Sequence, residues 1–211
     1  MKLKSILSFL LVLSAITNSY SQKFIFPKLN SDVKKEAKRY QKETWQPFIG
    51  GMPISQQLNN SFNKQNEIDD FGIPKWIITN GTSLAQTLAA AEMQANEIAK
   101  INLVGLMESN IKAVIETELA NNQLTKSDAA SITKSVSVAT NKLAQKLGRT
   151  IQLVKVYRIV GENYEVQVQI AYNFNIAKQL MVNQLKTELG SDVEKLKIKF
   201  DSFLNPNDKN Q

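Results

Sequence analysis

Polar and hydrophobic residues alternate without a break along residues 164–174. One set comprises Tyr164, Val166, Val168, Ile170, Tyr172 and Phe174, and the other Glu165, Gln167, Gln169, Ala171 and Asn173. A period of two is typical of a strand with one buried and one exposed face. A tight connection at residues 161–163 joins it to a strand-like run at 149–160, which predicts an antiparallel hairpin. Apolar residues lie on both sides of that first strand, so we expect burial on both faces or a bulge.

Helical periodicity predicts two long helices between residues 84 and 147. The apolar stripe of the first helix changes sides near Gly105, which indicates either a kink or an end that docks elsewhere. The pattern breaks at residues 121–123, and Thr125 with Asp128 then forms a capping box for the second helix. Gly148 is the expected end of that helix.

Shorter elements complete the predicted domain. The sequence predicts a strand at residues 75–79, a turn at residues 80–83 in which Thr82 or Ser83 caps the next helix, and a last helix at residues 176–189. The order for residues 74–190 is then β-α-α-β-β-α. We predict an α+β fold in which long helices cover one face of a small antiparallel sheet, with one strand before the helices and a hairpin after them.

Residues 22–73 are predicted to be a peripheral, partly ordered arm. A short helix opened by Ser31 or Asp32 would carry five basic residues close together, Lys34, Lys35, Lys38, Arg39 and Lys42. A solvated helix face is the favoured reading, and an anionic membrane surface or polyanion is the alternative ligand. Trp45 and Phe48 are candidate partner contacts, because the surrounding sequence offers little core to bury them.

The first 21 residues have the layout of a secretory signal peptide. A positive head precedes an apolar stretch at residues 6–16, and small residues flank a cleavage point near Ser21 and Gln22. We expect an exported protein, periplasmic or secreted, with no transmembrane segment. Removing Lys2 and Lys4 lowers the net charge from +7 to +5, which is too modest to suggest nucleic acid as a partner. Residues 191–211 form a charged tail.

The composition restricts catalysis. The chain contains no cysteine and no histidine, which excludes disulfides, Cys nucleophiles and His-based triads. Ser131 and Lys134 fit a Ser-x-x-Lys motif whose companion motifs are absent. Glu92 and Glu97 lie roughly 140° apart around a helix, unsuited to paired acid–base work. We predict no catalytic, metal or cofactor residues, and a Ser/Lys/carboxylate hydrolase is the less favoured alternative.

The polar side of the second hairpin strand is the remaining candidate surface. Its residues Glu165, Gln167, Gln169 and Asn173 would bind a partner if the sheet is open there, and otherwise form an exposed sheet face.

Three segments together resemble a known family. They are WIITNGT at residues 76–82, the spaced alanines of residues 84–99 and GENYEVQV at residues 161–168. This pattern, over residues 74–190, resembles the LPP-twenty type envelope lipoprotein domain and is similar to the N-terminal domain of the flagellar-assembly protein FlgT. The resemblance implies a small α+β envelope module for binding or assembly. This chain lacks the lipidated Cys, so we expect a protein without a lipid anchor whose partner is another envelope protein or a surface component.

Overall fold

The computed structural model describes residues 29–120 and 125–189. In chain order its elements are α1 (Ser31–Lys42), β1 (Gln46–Pro47), α2 (Ile54–Gln65), β2 (Trp76–Ala85), α3 (Leu88–Ala120), α4 (Lys126–Lys146), β3 (Ile151–Val160), β4 (Asn163–Asn173) and α5 (Phe174–Leu189). The predicted signal peptide (1–21), the break at 121–123 and the charged tail (191–211) lie outside the described residues.

The sheet has four antiparallel strands in the order β1-β3-β4-β2. The prediction of an α+β fold with an antiparallel sheet is therefore confirmed. The register of β3 against β4 shifts between Gln152 and Val154, and Leu153 and Val154 are both buried. The bulge therefore explains the irregular strand, because it turns the neighbouring side chains of Leu153 and Val154 into the same core.

The alternation along β4 divides the sheet into two faces. The apolar face carries Val166, Val168, Ile170 and Tyr172, which belong to the main hydrophobic core. The amide face carries Glu165, Gln167, Gln169, Ala171 and Asn173. The two faces are covered by different helices.

On the apolar face, α3 packs unusually close to β2. Ala91, Ala95 and Ala99 are fully buried there, and a Cβ added at Gly81 would lie 2.0 Å from the Ala95 carbonyl oxygen. The predicted turn at residues 80–83, with its helix cap at Thr82 or Ser83, is wrong, because β2 continues through these residues to Ala85. Gly81 serves helix–strand contact rather than a turn.

Beyond the sheet, α3 continues as one helix onto α4. Its buried residues change from Ala95 and Ala99 to Met107, Ile111 and Ile115, which pack in the same core as α4. The apolar stripe of α3 therefore changes sides near Gly105 because the helix packs on the sheet before this residue and on α4 after it. The predicted capping box is confirmed, since the Asp128 N–H donates to the Thr125 hydroxyl at 3.1 Å.

On the amide face, α1 and α2 cover the sheet. A second core joins the two segments to β3 and β4 through Tyr40, Trp45, Ile54, Leu153, Val154, Val156 and Ala171. The sheet is thus covered on both faces, not on one as predicted. Residues 29–73 are part of the folded unit rather than a peripheral arm, because the sheet supplies the apolar partner that these helices lack alone. None of the helices the structure describes is both long and apolar enough to cross a membrane.

Candidate functional site: a groove between α1 and α2

A groove of about 860 Å³ lies on the amide face. Helix α1 forms one wall, α2 forms the other, and strands β2, β3 and β4 form the floor. Its principal polar and charged lining residues are Asp32, Lys35, Glu36, Lys38, Arg39, Lys42, Ser61, Gln65, Asn80, Gln167 and Gln169. The groove exists because α1 and α2 meet the sheet through small apolar patches, leaving polar floor uncovered between them.

Hydrogen bonds fix the amide side chains of the floor. The Ser61 hydroxyl donates to Gln169 Oε1, and Gln65 Nε2 donates to that hydroxyl at 3.3 Å. Gln167 Nε2 donates to the Tyr40 hydroxyl at 2.8 Å. Each wall helix is therefore hydrogen-bonded to the floor, which holds the groove in shape.

Tyr40 connects the α1 wall to the floor of the groove. Its side chain is only 3% exposed, and burial raises the pKa of its hydroxyl. The phenol therefore stays neutral at ordinary pH and can accept the Gln167 hydrogen bond while its ring packs at 6.1 Å from the ring of Trp45.

The positive charges on α1 fall into two groups. The Arg39 guanidinium pairs with Glu36 at 2.5 Å and with Glu43 at 2.9 Å, and the hydrogen bonds that it donates to Glu36 raise the pKa of Arg39. Lys35, Lys38 and Lys42 are exposed and form no ion pair with any residue that the structure describes. The Arg39 guanidinium is thus occupied by two neighbouring carboxylates, whereas the three lysines remain available to bind an anion.

Most residues of the two predicted binding sets meet in this groove. Lys35, Lys38, Arg39 and Lys42 line its wall, and Gln167 and Gln169 line its floor. Lys34 is exposed on α1 but lies outside the groove. The sequence predicts these sets as separate candidates, and the fold places four of the five basic residues and two of the four polar residues of the sheet face in one recess.

Two residues of the predicted polar sheet face have structural partners instead. Glu165 pairs with Arg158 at 2.5 Å, and Arg158 in turn stacks over the Trp45 ring at 4.6 Å. The Asn173 side chain accepts from the Ile176 N–H at 3.1 Å and caps α5. Neither lines the groove.

The aromatic pair predicted to contact a partner is packed against the sheet. Trp45 is 7% exposed and its indole N–H donates to Glu43 at 3.1 Å, so its prediction as a surface contact is wrong in this structure. Phe48 is half-buried, with its ring 5.4 Å from that of Tyr157. The strands give both side chains a core that the local sequence does not show.

Several groove residues were not predicted as site residues. They are Asp32, Val33, Glu36, Tyr40, Leu58, Ser61, Phe62, Gln65, Asn80 and Val154. A signal was present in α2, where Gln57, Ser61 and Gln65 recur every four residues and therefore share one helix face.

Among the residues that the structure describes, the side chains considered for a Ser/Lys/carboxylate hydrolase do not come together. Ser131 and Lys134 are both exposed on α4, and no hydrogen bond joins them. Within residues 29–120 and 125–189, no three carboxylates cluster as metal ligands.

Comparisons with family models, with curated proteins and with solved structures find no match to this chain. The resemblance drawn from residues 76–82, 84–99 and 161–168 therefore stays a prediction.

Proposed function

We propose that this protein is a non-catalytic, exported binding module of the cell envelope, and that the groove between α1 and α2 is its binding site. The signal-like residues 1–21 support export, and the absence of cysteine from the chain leaves no site for a lipid anchor on a cysteine. The ligand is a surface component or an exposed part of another envelope protein.

One observation carries this proposal: the unpaired lysines of α1 and the amide floor of β2 and β4 line the same recess. A concave site with a few fixed polar groups is the usual form of a binding pocket. Hydrogen bonds donated by Ser61 to Gln169 and by Gln167 to Tyr40 hold the floor before any ligand binds, which reduces the entropy cost of binding.

Insertion of α1 into a membrane is the less favoured alternative. An interfacial helix needs an exposed apolar face beside its basic face. The apolar residues Val33 and Tyr40 are both 3% exposed because they pack on the folded domain. The outer surface of α1 is therefore polar, and its lysines can approach an anionic surface only by charge.

Co-sedimentation with isolated cell envelopes tests the proposal. We expect the purified protein to sediment with envelopes and a K35Q/K38Q/K42Q variant to stay in the supernatant. Lys34→Gln is the matched control, since Lys34 lies on the same helix outside the groove. Equal sedimentation of the triple variant and the wild type would contradict the groove as the binding site, and phosphatidylglycerol vesicles in a parallel arm would reveal membrane binding.

A further inference from the structure

The groove floor leaves a mixed set of hydrogen-bonding atoms open. Gln169 uses its carbonyl oxygen on Ser61, so its amide N–H₂ is free to donate. Gln167 uses an N–H on Tyr40, so its carbonyl oxygen is free to accept. The Asn80 side chain is exposed at the floor and can do both. Hydroxyl groups, which also donate and accept, match such a floor better than groups that only accept.

The strand geometry sets the spacing of these groups. Asn80 and Gln169 are directly opposite each other in the β2–β4 register, and Gln167 follows two residues along β4. Opposed residues lie about 5 Å apart and next-but-one residues about 6.7 Å apart. Several hydrogen-bonding groups of one extended, hydroxyl-rich ligand can therefore bind the floor together.

The charge of the groove favours a ligand with few negative charges. Lys35, Lys38 and Lys42 are available to anions, but the carboxylates of Asp32 and Glu36 also line the groove. A chain with a phosphate at every unit would bring charge close to those acids. Isolated carboxylates separated by neutral groups can reach the lysines and avoid the acids.

Apolar side chains complete the lining. Leu58 and Phe62 on α2 and Val154 on β3 face the same recess. A sugar ring has a C–H face as well as hydroxyl edges, so it can contact these side chains while its hydroxyls reach the amides.

An extended peptide fits this site less well, because peptides bind sheets mainly by pairing with a strand edge. Where the groove reaches β2, the Asn80 carbonyl already accepts from Asn102 Nδ2 at 2.7 Å. The groove thus offers a ligand the side-chain amides of a sheet face, and the backbone carbonyl of Asn80 on the edge strand β2 is already hydrogen-bonded.

We infer that the groove binds an acidic oligosaccharide, a chain of hydroxyl-bearing sugars with spaced carboxylates. This inference rests on the proposed function and names the chemical class of its ligand. The lysines of α1 pair with the carboxylates, and the side chains of Asn80, Gln167 and Gln169 bind the hydroxyls.

Isothermal titration with three matched probes tests the inference. The probes are a galacturonate hexamer in which every second carboxylate is methyl-esterified, so that its charges are spaced, the fully methyl-esterified form of the same hexamer, and hexaglutamate. We expect the galacturonate hexamer to bind the purified protein, and both other probes to bind at least about tenfold more weakly, since one lacks the charges and the other the hydroxyls.

Single substitutions locate the binding. Lys38→Gln and Asn80→Ala should each weaken galacturonate binding about tenfold or less, because each removes one contact from wall or floor. Lys34→Gln and Thr82→Ala should leave it unchanged, since these exposed residues lie outside the groove on the same helix and strand.

The outcomes separate the ligand class from the site. Hexaglutamate binding as tightly as galacturonate, with the same dependence on Lys38, would overturn the carbohydrate and keep the groove. Equal loss from Lys34→Gln and Lys38→Gln would show diffuse attraction to α1 and overturn both proposals. Absence of binding by all three probes would overturn the acidic-oligosaccharide inference, while envelope sedimentation continues to test the site.

Discussion

The two faces of the sheet are built by alternate residues of the same strands, yet they are packed in opposite ways. On the apolar face, Val166, Val168 and Ile170 are sealed beneath α3, which approaches β2 to the distance that only Gly81 permits. On the amide face, Gln167 and Gln169 hydrogen-bond to α1 and α2 across a groove. Tight apolar packing leaves no space for a ligand, whereas the part of the amide face where polar side chains reach the helices leaves a recess beside the second core.

This difference separates stability from binding. Apolar burial contributes in proportion to the area removed from water, while a hydrogen bond contributes about 1 kcal/mol net. We therefore expect substitutions in the core of the apolar face to affect folding strongly and substitutions of the groove-floor amides, which lie beside the second core, to affect it weakly. Four measurements test this contrast.

The largest effect is expected at Ile170, which is 1% exposed on the apolar face. Ile170→Ala removes buried carbon and leaves a cavity, so the free energy of unfolding should fall by about 4 kcal/mol in urea denaturation. Ile159→Ala is the matched control, because Ile159 is 62% exposed on β3 and should change stability by about 0.5 kcal/mol or less. Similar losses for the two variants would place the core elsewhere.

Gly81→Ala should destabilise by roughly 3 kcal/mol through overpacking. The new Cβ would lie 2.0 Å from the Ala95 carbonyl oxygen and 2.5 Å from the Ala99 nitrogen, so α3 must move away from β2. Gly105 lies inside α3, and a Cβ added there would have no neighbouring atom within 4 Å. Gly105→Ala should therefore raise the free energy of unfolding by up to about 1 kcal/mol, because alanine favours the helix more than glycine. If both variants shifted the urea midpoint upward, the close helix–strand approach would be disproved.

Gln169→Ala, one residue from Ile170 on the opposite face, should cost only about 1 kcal/mol. It removes the acceptor of the Ser61 hydroxyl, which is left beside the open groove where water can replace the bond. Thr82→Ala, exposed on the neighbouring strand, provides the baseline. A loss as large as that of Ile170→Ala would mean that the amide face is packed as tightly as the apolar face.

The same contrast explains what could be predicted from the sequence. Perfect alternation along β4 predicts both faces, and Thr125 with Asp128 predicts the start of α4, since each signal lies within a few residues. The role of Gly81 depends on Ala95 and Ala99 in another element, so local rules for an Asn-Gly pair predict a turn instead.

The groove was harder to predict because its contacts are distant along the chain. Ser61 and Gln169 are separated by 108 residues, and Tyr40 and Gln167 by 127. Each basic or polar residue has an ordinary explanation as a solvated surface. Only the docking of α1 and α2, driven by a few apolar side chains, brings the two sets together.

Acid provides the most sensitive test of the amide-face layer, because both tryptophans of the chain report on it. Trp45 donates to Glu43 at 3.1 Å and Trp76 donates to Glu67 at 2.6 Å. The bond from Trp45 lowers the pKa of Glu43, while a bond from Lys64, followed by that from Trp76, lowers the pKa of Glu67.

Because both pKa values fall below the ordinary 4.5, the ionised carboxylates stabilise the fold above that pH. This stabilisation is lost as pH falls from 4.5 through the lowered values, so tryptophan fluorescence should change there before helical ellipticity does. Glu43→Gln should remove the Trp45 part of the change, and Glu97→Gln, on α3 across the sheet, should not. If fluorescence and ellipticity changed together, the amide-face layer would have no acid transition of its own. The two faces of the sheet would then respond to acid as one unit.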